Sequence, residues 1–169
     1  IYKRISPFNY IGRIAFPIFA FQISEGFLHT KNLKNYFIRL MVFALISQIP
    51  YILFLSLYSN DIRLNVFFTL TLGLIAIWLH SYILKDISSK LDVKIKNSFT
   101  KLLLKLIVEF VPTIAIGIIG EISKVDYGWW GILLVFMFYY FKKNKIAMNI
   151  SFITMCIIYY GIAIIKTGF

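Results

Sequence analysis

An apolar run that carries charge inside it constrains this chain more than any other stretch. It spans Tyr10 to Leu28, reads YIGRIAFPIFAFQISEGFL, and holds Arg13, Gln22 and Glu25, with His29 at its edge. Crossing the hydrocarbon layer takes roughly 20 residues, and this run has nearly that length. A charge in hydrocarbon costs at least ~2.5 kcal/mol, so an ionisable residue inside such a span is a functional candidate. Pro17 has no N–H, which leaves the carbonyl of Arg13, four residues back, without its helical partner. A bent helix with a freed carbonyl beside an arginine reads as part of a polar site. The plainer reading is an assembly kink with paired charges.

The remaining residues extend this pattern. The chain has 169 residues, 60% of them hydrophobic, and a mean hydropathy of +0.80. A water-soluble domain of this length could not cover so much apolar surface. The expected fold is all-α: a polytopic membrane bundle forming one domain over residues 1–169. About six spans are visible, near 10–28, 36–58, 64–84, 102–122, 126–141 and 146–165. In a bilayer each backbone polar group must be satisfied within the protein, which favours helices packed on one another.

The formal charge of +11 does not point to nucleic acid, because the basic residues lie mainly between the apolar runs and no nucleic-acid-binding motif is present. That distribution reports orientation instead. Connections 29–39, 85–101 and 142–145 are expected on the cytoplasmic side, with the lipid bilayer as partner. Ile1 then begins on the outer side, and with no signal peptide evident, one more helix is expected upstream. Cys156 stands alone, which excludes a disulfide within the chain and a cysteine-cluster metal site.

Several polar residues invite local readings. Arg39, Phe43 and Ser47 share a helix face, Gln48 points elsewhere, and Pro50 frees the carbonyl of Ile46. Thr69 and Gly73, four apart, let a neighbouring helix approach closely. His80 reads as an interfacial anchor. The connection Lys85–Lys101 reads as a segment lying on anionic headgroups or as a solvated loop. Lys105 and Glu109 are one turn apart and can neutralise each other. Tyr127, Trp129 and Trp130 fit one aromatic belt, and Tyr139 and Tyr140 the opposite one.

With this orientation Arg13 and Pro17 fall in the outer half, and Glu25, His29 and Arg39 near the cytoplasm. Glu25 and His29 lie one turn apart on one face, and Arg39 can close the group. A carboxylate, an imidazole and a guanidinium at a membrane mouth suit an anionic substrate such as a phosphate. The two histidines are far apart and the carboxylates dispersed, so no metal site is expected. No serine has a nucleophile context.

Four ordered stretches carry a resemblance: GRIAFPIFAFQISEGFLHT (Gly12–Thr30), RLMVFALISQIPY (Arg39–Tyr51), LNVFFTLTLG (Leu64–Gly73) and DYGWWGILL (Asp126–Leu134). Together they closely resemble the TraX family. The chain departs at Gln48, where that family often has glutamate. The resemblance implies a bacterial multi-spanning protein related to membrane acyltransferases, with acetyl-CoA as acyl donor. The acceptor it implies is a pilin-like amino terminus or a cell-surface hydroxyl. It also implies an upstream helix bearing an Asp-His pair as the general-base centre. Within this chain Arg13 and Arg39 are then expected to hold the donor phosphates or a developing oxyanion, and Glu25 and His29 to orient them or relay protons. A substrate-binding or transport subunit is the other reading, since proline-broken spans with buried charges also line transport sites.

Overall fold

A computed structural model describes residues 7–57, 62–94 and 98–167, with side chains described for 14–57, 62–83, 99–100, 103–104, 107–159 and 161–162. The lead-in before Pro7 and the turn at Ser59-Asn60-Asp61 lie outside the described residues. Among the described residues six helices follow in order: α1 (Pro7–His29), α2 (Leu33–Ser56), α3 (Val66–Lys94), α4 (Ser98–Ile122), α5 (Gly128–Tyr140) and α6 (Lys145–Thr167). Among the described residues there is no strand, only an isolated parallel bridge between Leu64 and Val125.

The short α5 is the axis of the bundle. Its sequence GWWGILLVFMFYY is apolar all round, and such a helix belongs in an interior. Ile132, Val135 and Phe136 are wholly buried, because α1, α3, α4 and α6 all pack against α5, while α2 packs on α3. The small residues of α3 do what their spacing predicts. A Cβ added to Gly73 would lie 2.8 Å from Val135 Cβ, and one added to Gly131 would lie 2.6 Å from Thr69 Cγ2. Gly120 accommodates Ile132 of α5 in the same way, so α3 and α4 both approach the central helix at glycines.

The outer faces are apolar as well. Ile46, Ile49 and Leu53 of α2, Ile114 and Ile118 of α4, and Ile150, Ile153 and Ile157 of α6 are exposed. They recur every three or four residues, so each forms a stripe along its helix. Apolar surface of this extent is normally covered, here most simply by lipid. Leu33–Ser56 and Val66–Ile83 are long and apolar enough to cross a membrane.

Three expectations are corrected. The connection expected over Lys85–Lys101 is largely helix: α3 runs on to Lys94 and α4 begins at Ser98. Leu84, Ile87 and Leu91 recur at helical spacing, and a helix leaving hydrocarbon keeps its own hydrogen bonds. The connection expected over 29–39 is shorter too, because Asn32 accepts a hydrogen bond from Asn35 N at 3.0 Å and starts α2 at once. Tyr139 and Tyr140 do not form a belt. Tyr139 is buried and Tyr140 donates to Glu109 at 2.9 Å, because the helix that bears them is surrounded by protein.

Candidate functional site

Asn65, buried at the start of α3, joins that helix to the middle of α2. Its Oδ1 accepts from Phe67 N at 2.9 Å, an N-cap. Its Nδ2 donates to Ala44 O at 2.8 Å and to Ser47 Oγ at 3.1 Å. Gln48 completes the clip: its Oε1 accepts from Asn65 N at 2.9 Å and its Nε2 donates to Arg63 O at 2.8 Å. A glutamate here could not make the second bond while ionised. Ser47 also bonds its own helix, donating to Phe43 O at 2.6 Å.

The turn between α4 and α5 is held against this clip. Leu64 N donates to the Lys124 carbonyl at 3.1 Å. Lys124 takes φ +51, a left-handed conformation, and Gly128 follows at φ +52. These two bends swing Asp126 back over the end of α2, where the Tyr51 hydroxyl donates to its Oδ1 at 3.2 Å. Crowding by protein raises the Asp126 carboxyl above its ordinary value of 3.8, against the pull of the Tyr51 hydrogen bond and the Arg63 charge.

Beneath Asp126 lies a cavity of about 300 Å³. Arg63 and Asp126 supply its charged rim. Phe16 and Pro17 of α1, Trp130 and Leu134 of α5, and Phe152 and Cys156 of α6 supply its walls. Phe16 stacks on Tyr127 at 3.8 Å between ring centroids, which closes one side. A second hollow of about 490 Å³ shares Arg63, Asp126 and Trp130 and continues toward Glu121 and Lys124. A charged rim over an apolar hollow suits an amphiphilic ligand.

The residues expected to form the site are divided between the two ends of the bundle. Glu25 and His29 do meet, with His29 Nε2 3.4 Å from Glu25 Oε2. They do so at the surface, on the end opposite the cavity. Arg39 is exposed nearby in a shallow hollow with Thr30, Asn32 and Asn35. Lys142, beyond α5, faces this end: its Nζ stands 4.3 Å above the Tyr139 ring. Burial, and after it the neighbouring Lys143 charge, lower its ammonium, while Glu25 acts the other way. Pro17 sits at the cavity, ~18 Å along α1 from His29 by helical rise. Arg13 lies one turn before Pro17, with its side chain outside the described residues. Arg13 and Arg39 therefore belong to different ends.

The four stretches that carry the family resemblance converge on the cavity end. Phe16 and Pro17 come from the first, Tyr51 and Gln48 from the second, Leu64 and Asn65 from the third, and Asp126, Tyr127 and Trp130 from the fourth. Sequence reasoning assigned no role to Arg63, Asp126 or Tyr51. The Tyr51–Asp126 bond joins residues 75 apart, beyond any helical periodicity. Their membership of the quoted stretches was the signal available.

A helical bundle with apolar outer faces and a charged cavity at one end defines a membrane-associated helical protein. The TraX family model, described as TraX protein, matches residues 1–168, and the chain belongs to that family. A probable fimbrial assembly protein FimC, serogroup H1, of Dichelobacter nodosus is 34% identical over 96 residues. That match takes in 52% of this chain and 36% of the relative, so it spans about a third of the relative's length. No solved structure is a significant match.

Proposed function

We propose that this chain is the body of a multi-pass inner-membrane acyltransferase that moves an acetyl group from acetyl-CoA to an amine or hydroxyl acceptor. The observation that carries this reading is the convergence of four separate family stretches on one end of the bundle, where the first and fourth line a cavity rimmed by Asp126 and Arg63 and the second holds Asp126 through Tyr51. The acceptor binds there, its polar head at Asp126 and its apolar body against Trp130, Leu134 and Phe152. Asp126, oriented by Tyr51, holds the acceptor's N–H or O–H and draws off positive charge as the new bond forms. Arg13 and Arg63 stand on the side where an oxyanion develops at the thioester carbonyl, and fixed cations stabilise such charge.

Donor recognition belongs to the opposite end. Arg39, with Lys31 and Lys34 beside it, offers cations to the donor phosphates, and the Glu25–His29 pair orients that surface. The donor's thioester end then has to reach the cavity from this end; there the acceptor nitrogen or oxygen bonds to the acetyl carbon, the C–S bond breaks, and coenzyme A leaves as its thiol with the proton the acceptor gives up. The acceptor is a pilin-like amino terminus or a cell-surface hydroxyl, in keeping with the fimbrial name of the relative.

A transport or substrate-binding role is the second reading, supported by prolines inside three helices at Pro17, Pro50 and Pro112. Incubating purified full-length protein with labelled acetyl-CoA separates the two. The acyltransferase reading expects binding and slow thioester cleavage, with Arg39→Ala raising KM for the donor and Asp126→Asn lowering kcat at least ~10-fold. Folded protein that neither binds nor cleaves acetyl-CoA would decide for transport.

A further inference from the structure

His80 lies on α3, toward the end of the bundle opposite the cavity, and is 3% exposed. Neither of its ring nitrogens has a hydrogen-bond partner. Burying an imidazole with both nitrogens unpaired forfeits its hydrogen bonds to water with no return, so the position demands an explanation. The sequence reading as an interfacial anchor fails, because the ring is enclosed by protein. Phe136, Tyr139 and Tyr140 present their rings to it at 5.0, 5.7 and 6.1 Å between centroids.

The polar groups around it come from three elements. Glu109 of α4 is 6% exposed and accepts the Tyr140 hydroxyl at 2.9 Å on Oε2. Its partner is thus Tyr140 of α5; the side chain of Lys105, expected to pair with it, lies outside the described residues. Thr113, one turn further along α4, is buried with its hydroxyl unpartnered. Pro112 beside it removes the N–H that Val108 O would accept. Glu109 and Lys142 are the charges that bear on the His80 ring, and Glu25 of α1 bears in turn on Lys142.

We propose that His80, Glu109 and Tyr140 form a buried proton-binding site, bridged by water and reached from the Lys142 end of the bundle. One proton taken up by the neutral His80 imidazole and the Glu109 carboxylate leaves the pair without net charge, whether it rests as an imidazolium beside the carboxylate or as a carboxylic acid beside the neutral ring. Neither arrangement buries net charge, which a low-dielectric interior penalises heavily. The Tyr140 hydroxyl donates to the carboxylate form. Water supplies the partners that both ring nitrogens lack. A proton arriving from bulk water meets exposed His29 and Glu25 first, then Lys142 above Tyr139, and then the enclosed ring. This site stands on its own geometry and does not depend on the acyl-transfer reading.

Nitrogen NMR of full-length protein in lipid nanodiscs, labelled with ¹⁵N-histidine, tests it. His80→Gln identifies the buried signal, and His29 serves as the exposed control. The expected result is a His80 imidazole with hydrogen-bonded nitrogens in contact with water. Its titration midpoint should move by about one pH unit or more in Glu109→Gln. Tyr140→Phe keeps the ring and removes the hydroxyl, so it should move the same midpoint even if Glu109→Gln folds poorly. A His80 signal without water contact, invariant from about pH 5 to 9 and unchanged in both folded variants, would overturn the proposal.

Discussion

Asp126 depends on two residues distant in sequence, Tyr51 and Arg63, and its environment sets a sign that can be tested. Its folded pKa is raised by burial above 3.8. As pH climbs past that value the unfolded chain gives up its proton first, so the folded state binds more protons there. The stability that Asp126 contributes is therefore present below that window and lost as pH rises through the folded value. Asp126→Asn should flatten this dependence, measured as the difference in thermal midpoint between wild type and variant across the acid range. Asn65 gives a second residue-scale prediction. Asn65→Ala removes the α3 cap and two bonds to α2, at a cost of roughly 2–4 kcal/mol. Chemical unfolding in detergent should register this as an earlier transition. Ser47's bond to its own helix was legible from residue type alone. The Gln48–Asn65 clip was not, since no local pattern relates residues 17 apart.

At the scale of elements, the contact between α3 and α5 is the most exacting. Thr69 faces Gly131 and Gly73 faces Val135, and each glycine is already filled to van der Waals contact by its neighbour. Gly131→Ala should lower stability by ~1–3 kcal/mol. A Cβ there also meets Phe16 and Tyr127, so the cavity wall should shift with it. Retention of full thermal stability in Gly131→Ala would show that α5 has room to move. The four-residue spacing of Thr69 and Gly73 announced a close approach in advance. It did not say which helix would come, because several spans offer small residues. The extent of α3 was misread for a different reason: charge marks where a span leaves the bilayer, not where its hydrogen bonds stop.

At the scale of the molecule, the two ends differ in kind. The end with the 30–32 and 141–144 connections carries Lys31, Lys34, Lys142 and Lys143, and the opposite end carries the cavity. Positive-inside orientation predicts that the basic end faces the cytoplasm. In a Cys156→Ser background, cysteines placed at Asn32 and Asn144 should react with impermeant thiol reagents only from the cytoplasm. One placed at Ser123 should react only from outside. Labelling of all three from one side would overturn this orientation. The number of helices, their approximate bounds and their apolar character follow from the sequence alone, because hydrocarbon-length runs and helical spacing are local properties. Which helix stands at the centre, which polar groups meet, and at which end the cavity opens were decided by packing. Those depend on contacts between residues such as Tyr51 and Asp126, which become neighbours only when the helices are assembled.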